Sequence, residues 1–298
     1  MGNGEAPGQR LNSGDLPRLR DQLEAEGLRA KKSLGQHFLL DMNITRRIAR
    51  AAGDIAGKAV IEIGPGPGGL TRALLEAGAD PLFVIEKDPR FLPLLGPLVA
   101  WSGGRLRIVH GDALEADETA LLAWTAGVPT GETPTVQAAY IVSNLPYNIG
   151  TPLLVKWLKA GAWRSDMTLM FQKEVAQRIV AKPGSDAYGR LAVLAQARCE
   201  ARLEFTVPAR AFTPPPKIAS AIVRLTDLAA PYPHLDALEH ITTAAFGQRR
   251  KMLRSALRAL TPDAENLLRD ANIEPTARAE EIDQAGFRAL AEAWRNKK

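Results

Sequence analysis

Apolar positions recur along this chain with two different periods. LRDQLEAEGL (19–28) and DMNITRRIARAAG (41–53) carry helical spacing, the second opening on Asp41 as an N-cap. Short apolar runs then alternate with amphipathic ones. KAVIEIG (58–64), PLFVIEKD (81–88), RLRIVHGDAL (105–114) and AAYIVSN (138–144) predict strands, and LTRALLEAG (70–78) and TPLLVKWLKAG (151–161) predict helices. DPRFLPLLGPLVAW (88–101) is helical in outline, but Pro93 and Pro97 leave its length open. MTLMFQKEVAQRIVA (167–181) passes from strand to helix, RLAVLAQARCEARLEFTV (190–207) continues the order less clearly, and IASAIVRLT (218–226) alternates as a last strand. From about residue 229 only helical segments follow: LEHITTAAFG, RRKMLRSALRAL, DAENLLRDAN and ARAEEIDQAGFRALAEAWR.

Fully apolar strands alternating with helices indicate a parallel sheet covered on both faces, an open doubly wound α/β fold. The pattern divides the chain into a polar leader (1–28), an α/β domain (29–228) and a small all-helical C-terminal domain (229–298). TAGVPTGETPT (125–135) reads as a surface loop.

Composition narrows the classes. The single cysteine among 298 residues, Cys199, excludes an internal disulfide and fits a reducing compartment. The four histidines stand apart from Cys and carboxylates at ligand spacing, so no metal is expected. No apolar run approaches the roughly 20 residues of a spanning helix, and the first residues lack a signal-peptide core, so the expectation is a soluble, cytoplasmic protein and a monomer. The net charge of +5 is a weak pointer to nucleic acid. Its placement says more: RRKMLRSALR (249–258) holds five basic groups and no acid, and RAKKSLGQH (29–37) is also basic. Both could border a groove for a phosphate backbone, with Lys31, Lys32, Arg249, Arg250, Lys251 and Arg254 as contacts. The alternative is two solvated helix faces.

Candidate chemistry begins at VIEIGPGPGG (60–69). Gly64, Gly66 and Gly69 fit G-x-G-x-x-G, and Glu86 closes the next strand, as in a dinucleotide fingerprint. A Gly/Pro-rich turn without a ligand is the bland reading. Pro65 and Pro67 lack N–H donors for a pyrophosphate, and no Gly-Lys-Ser/Thr follows for an NTP. A donor-poor loop flanked by Glu62, Glu86 and Asp112 suits a cofactor with ribose, adenine and positive charge but no phosphate, which is S-adenosylmethionine. Glu86 would take the ribose hydroxyls, Asp112 the adenine amino group, and Gly64 would pass under the methionine part.

SNLPYNI (143–149) ends the fourth strand. The Asn144 side-chain carbonyl and the Leu145 backbone carbonyl are two acceptors for the two N–H groups of a nucleobase amino group. Pro146 stiffens the turn and Tyr147 can stack on the base, worth roughly 1–3 kcal/mol. Such a base must be flipped or single-stranded. A strand-ending turn with a half-buried tyrosine is the alternative.

These motifs, with YGRLAVLAQ (188–196), FQKEVAQRI (171–179), FTPPPKIASAIVRL (212–225) and FGQRRKMLRSAL (246–257), resemble the ribosomal RNA adenine N6,N6-dimethyltransferases of the small subunit over about residues 30–298. The resemblance implies a Rossmann-like class I methyltransferase sheet of about seven mostly parallel strands. It implies dimethylation of two adjacent adenines in the 3′-terminal hairpin of small-subunit rRNA, within a 30S assembly intermediate. It adds His37 and Leu39 in GQHFL to the cofactor contacts Gly64, Glu86, Asp112 and Asn144, although many members carry Asn where this chain has His37. Phe212 would help Tyr147 hold the flipped adenine, or else packs in the core. Two other readings share the fold: a large-subunit rRNA adenine methyltransferase of the macrolide-resistance type, and a non-catalytic ribosome-assembly or transcription factor.

Overall fold

A computed structural model describes residues 16–30, 36–125 and 138–297. Lys31, Lys32 and nearly all of the 125–135 loop lie outside the described residues. The strands are β1 (Phe38–Leu39), β2 (Val60–Ile63), β3 (Leu82–Glu86), β4 (Leu106–His110), β5 (Ala139–Asn144), β6 (Arg164–Gln172), β7 (Cys199–Val207), β8 (Phe212–Thr213) and β9 (Ser220–Asp227). The helices are α1 (Leu19–Ala25), α2 (Met42–Ala51), α3 (Gly69–Glu76), α4 (Gly96–Ser102), α5 (Glu118–Thr125), α6 (Gly150–Leu158), α7 (Lys173–Ile179), α8 (Arg190–Arg198), α9 (Leu235–Gly247), α10 (Leu253–Ala256), α11 (Ala264–Asp270) and α12 (Gln284–Asn296). Seven strands form a mostly parallel sheet in the order β4-β3-β2-β5-β6-β9-β7, and β1 pairs with β8 on its own.

The chain divides into two compact units, residues 1–148 with 208–217, and residues 149–207 with 218–298. The helical C-terminal segment therefore belongs to the same unit as β6, β7 and β9, although strands do end at Asp227. In the first unit β4, β3, β2 and β5 run parallel, with Val60 opposite both Leu82 and Tyr140 and Leu82 opposite Leu106. Every residue of β2 and β3 is buried, which is why VIEI and LFVIE are continuous apolar runs rather than alternating ones. In the second unit β9 is antiparallel to both β6 and β7. Flanked by strands on both edges, it buries Ser220 to Val223 consecutively, so the alternation expected for it is absent.

Proline decides the segment after β3. Short 3-10 turns at Pro89–Phe91 and Pro93–Leu95 precede α4, whose first turn holds Pro97. A prolyl nitrogen has no hydrogen to continue a helix, so each proline starts a new turn instead. RRKMLRSALRAL also departs from the helix expected. Lys251 N–H donates to the Gln248 carbonyl at 2.8 Å, closing a turn over Arg249 and Arg250. Met252 is extended and bridges Arg278, and only Leu253–Ala256 is α-helical.

The leader is more than a polar tail. Asp41 caps α2 as expected, accepting from Asn43 N–H at 2.8 Å. Ahead of it, α1 buries Leu19 and Leu23, and Leu23 packs in a cluster with Phe38, Phe91 and Leu94. We expect Leu23→Ala to cost about 2–3 kcal/mol in urea unfolding. The exposed neighbour Glu24 replaced by alanine serves as control and stays within about 0.5 kcal/mol.

Candidate active site

The loop between β2 and α3 is wound tightly by its glycines. Gly68 sits at φ +86°, and a Cβ there would lie 2.6 Å from Leu98 Cδ1. At Gly69 a Cβ would lie 2.8 Å from the Leu39 carbonyl oxygen. Any side chain at either position would push the loop off its neighbours. The loop's N–H groups are committed internally. Gly64 N–H donates to the Ile85 carbonyl and Gly68 N–H to the Pro65 carbonyl, each at 2.9 Å. Gly66 N–H donates to Glu86 Oε2 at 3.1 Å. With Pro65 and Pro67 lacking hydrogens, this turn keeps no donor for a pyrophosphate at any of these five positions.

Acceptors dominate instead. Glu86, at the end of β3, is 5% exposed and accepts Asp88 N–H on Oε1 at 2.8 Å. The two carboxylate oxygens carry four lone pairs, more than the backbone N–H groups of Gly66, Lys87 and Asp88 occupy, which leaves acceptor capacity for a hydroxyl donor. Burial pushes the Glu86 carboxyl up, while the N–H groups of Asp88 and Gly66 oppose the rise. Asp112 follows β4 and is held by Lys87 Nζ on Oδ2 at 2.6 Å and by Leu114 N–H on Oδ1 at 3.0 Å. Glu62 differs from the charged acid expected to flank the loop. It is buried, accepts Thr71 Oγ1–H at 2.7 Å, and burial pushes its carboxyl up to about 8. The carboxylate-lined loop, with no N–H to spare at residues 64–68, thus fits a phosphate-free nucleoside cofactor better than a dinucleotide.

The turn after β5 leans on this loop. Ser143 Oγ–H donates to the Ile63 carbonyl at 2.8 Å, tying the ends of β5 and β2 together. A Cβ on Gly64 would lie 3.5 Å from Pro146 Cγ, so the proline packs against the glycine turn. Leu145 is buried and anchors the turn, while Asn144 and Tyr147 are half-buried. The third wall rests on a pairing that periodicity does not reveal. β1 and β8 pair antiparallel, Phe38 opposite Thr213 and Leu39 opposite Phe212, bringing GQHFL to FTPPP. The Phe38 ring lies 3.4 Å from where a Gly66 Cβ would be. Gln36 Nε2 donates to Asp88 Oδ2 at 3.2 Å. His37 Nδ1 donates to the Pro214 carbonyl at 2.8 Å, and its ring centroid lies 5.4 Å from that of Tyr147.

One region therefore holds Gly64, Glu86, Asn144, Leu145, Pro146, Tyr147, His37 and Leu39, with Asp112 linked through Lys87 to the segment after β3. Phe212 is 3% exposed in β8, a packed position in this state. Gln36 and Asp88 went unnoticed in the sequence. Arg90 beside Asp88 holds that carboxyl down near about 2, so it stays a charged anchor for the GQHFL segment. Of the expected nucleic-acid contacts, Arg249 is paired with Glu280 at 2.9 Å and Arg254 approaches Glu265 at 3.9 Å. Arg250 and Lys251 are exposed on their turn with no ion pair among the described residues.

The chain matches the family described as ribosomal RNA adenine dimethylase over residues 27–294. It is 61% identical to a ribosomal RNA small subunit methyltransferase A of Phenylobacterium zucineum, across 94% of this chain and 93% of that protein. The protein of the same name from Maricaulis maris is 53% identical across 94% of this chain and 96% of its own length. Among solved structures, a dimethyladenosine transferase from Plasmodium falciparum superposes with a TM-score of 0.70 at 24% identity, covering 88% of this chain and 98% of its own. The 23S rRNA methyltransferase ErmE superposes at 0.62 with 26% identity, covering 87% and 99%.

Glu62 makes one consequence of this packing measurable. The unfolded chain ionises it near 4.5, whereas the fold holds it protonated to about 8. Stability must therefore fall as pH rises through that window and level off above it. Glu62→Gln keeps an acceptor for Thr71 and escapes the penalty. Its stability relative to the parent should grow between pH 5 and 8 in urea titrations, and a pH-independent difference would refute the buried neutral carboxyl.

Proposed function

The chain belongs to the ribosomal RNA adenine dimethylase family, and on that premise we propose that it dimethylates N6 of two adjacent adenines in the 3′-terminal hairpin of small-subunit rRNA. The observation that carries the reading is the Asn144–Tyr147 turn packed through Pro146 on a glycine loop whose free hydrogen-bonding capacity is carboxylate. S-adenosylmethionine, when bound, supplies the methyl group as an electrophile. Glu86 would hold its ribose, Asp112 its adenine, and Gly64, His37, Leu39 and Asn144 the remainder. Asn144 Oδ1 and the Leu145 carbonyl accept the two amino hydrogens of the target, which favours a pyramidal nitrogen and aims its lone pair. Pro146 fixes that pair of acceptors, and Tyr147 offers its ring to the base, with Phe212 as a second aromatic once it is uncovered. Nothing here acts as a strong base, so the rate relies on positioning and electrostatics.

The small subunit is favoured over the large one because relatives named for it reach 61% identity, against 26% for the 23S enzyme. Incubation with methyl-labelled cofactor and either undermethylated 30S particles or 23S rRNA decides. Label in the 30S rRNA is expected, and label in 23S rRNA alone would sink the reading. Asn144→Ala should lower methyl transfer by about 10²–10³-fold while cofactor affinity changes little, the signature of a lost transition-state contact.

The exposed Arg250–Lys251 turn of the 229–298 segment supplies backbone contacts to the rRNA in this reading. Replacing either residue with alanine should weaken rRNA binding uniformly across sequences and reduce the salt slope by about one. An unchanged slope would remove the turn from the interface.

A further inference from the structure

His37 has no assigned part in the transfer beyond lying beside the cofactor, yet three segments distant in sequence meet on its imidazole. Its backbone immediately precedes β1, at the open end of the β1–β8 pair. Its Nδ1 contacts the Pro214 carbonyl at 2.8 Å, one residue beyond the end of β8. A carbonyl only accepts, so the proton sits on Nδ1 and the ring is fixed in both tautomer and rotation. The fixed ring then lies 5.4 Å from Tyr147 with the planes inclined by 32°. That distance lies within the range of offset aromatic packing, which orients a ring beyond what burial alone does. Tyr147 itself is half-buried.

We infer that His37 is a positioning residue for Tyr147: the imidazole, braced by the Pro214 carbonyl, sets the orientation at which the tyrosine ring receives the target base. This rests on the proposed function for the identity of the base, but the coupling of the two rings does not. The anchors around it keep the brace stiff. Gln36 is tied to Asp88, and Phe38 packs edge-on against Phe91 with centroids 5.2 Å apart. The brace consequently moves the tyrosine ring and leaves the Glu86 end of the site alone. Its signature is a defect in RNA engagement that persists at saturating cofactor.

Two variants separate the parts of the brace. His37→Asn keeps a hydrogen-bonding side chain and removes the ring, and His37→Phe keeps a ring and removes the bond to Pro214. Full-length protein labelled with 13C at its four tyrosines gives a readout that needs no activity. Tyr147 resonances should shift and narrow in His37→Asn, and shift in His37→Phe, while those of Tyr140, Tyr188 and Tyr232 stay in place. In the methylation assay at saturating cofactor His37→Asn should raise KM for the rRNA substrate about 10-fold, the pattern of lost ground-state binding. In a Tyr147→Ala background the same change should have no further effect, because the residue acts through that ring. Unmoved Tyr147 resonances, or a His37→Asn defect that adds in full to Tyr147→Ala, would overturn the inference. If the parent protein methylates no rRNA, the proposed function fails while the resonances still decide whether His37 sets Tyr147.

Discussion

The carboxylate of Glu86 holds the site together. It closes β3, yet its two oxygens reach sideways to the N–H groups of Gly66 and Asp88. One bond pins the glycine loop at its midpoint, and the other fixes the start of the turn that carries Asp88. Asp88 in turn anchors Gln36, and with it the segment that carries His37, Phe38 and Leu39. Buried at 5% exposure, Glu86 has lost much of its solvation, and backbone donors from Gly66, Lys87 and Asp88 replace part of it. Its remaining acceptor capacity suits a hydroxyl group rather than a phosphate.

The same economy of donors separates this glycine loop from the dinucleotide loops it resembles in spacing. Proline at 65 and 67 removes two hydrogens, and internal bonds at Gly64, Gly66 and Gly68 use three more. Residues 64–68 thus offer an anion no N–H, and the proline-stiffened turn that follows β5 packs directly on them. The glycine loop and the Asn144–Tyr147 turn are thereby parts of one packed object. A displacement of the loop would move the acceptors of Asn144 and Leu145 with it.

Much of this was legible in the sequence, because the parallel strands are buried on both faces and announce themselves as apolar runs. VIEI and LFVIE gave the adjacent strands, and the acid and amide residues at their ends gave Glu86, Asp112 and Asn144. What escaped depends on pairing across sequence distance. The β1–β8 pair is two residues long, too short to leave a period, and only folding brings His37 to Pro214. The helical reading of RRKMLRSALRAL failed because a bridge from Met252 to Arg278 imposes an extended residue on a run with helical propensity. Glu62 was expected to add negative charge beside the glycine loop, but its neighbours in space bury it and favour the neutral carboxyl.

The central claim is that the turn after β5 presents two carbonyls to the amino group of an adenine. The most direct measurement is mass spectrometry of the 3′-terminal rRNA fragment from undermethylated 30S particles treated with this protein and S-adenosylmethionine. The account predicts two adjacent adenines, each carrying two methyl groups on N6, and an unmodified fragment when the protein is omitted. A fragment left unmodified by active, cofactor-bound protein, or methylated on a ring nitrogen or a different base, would contradict it.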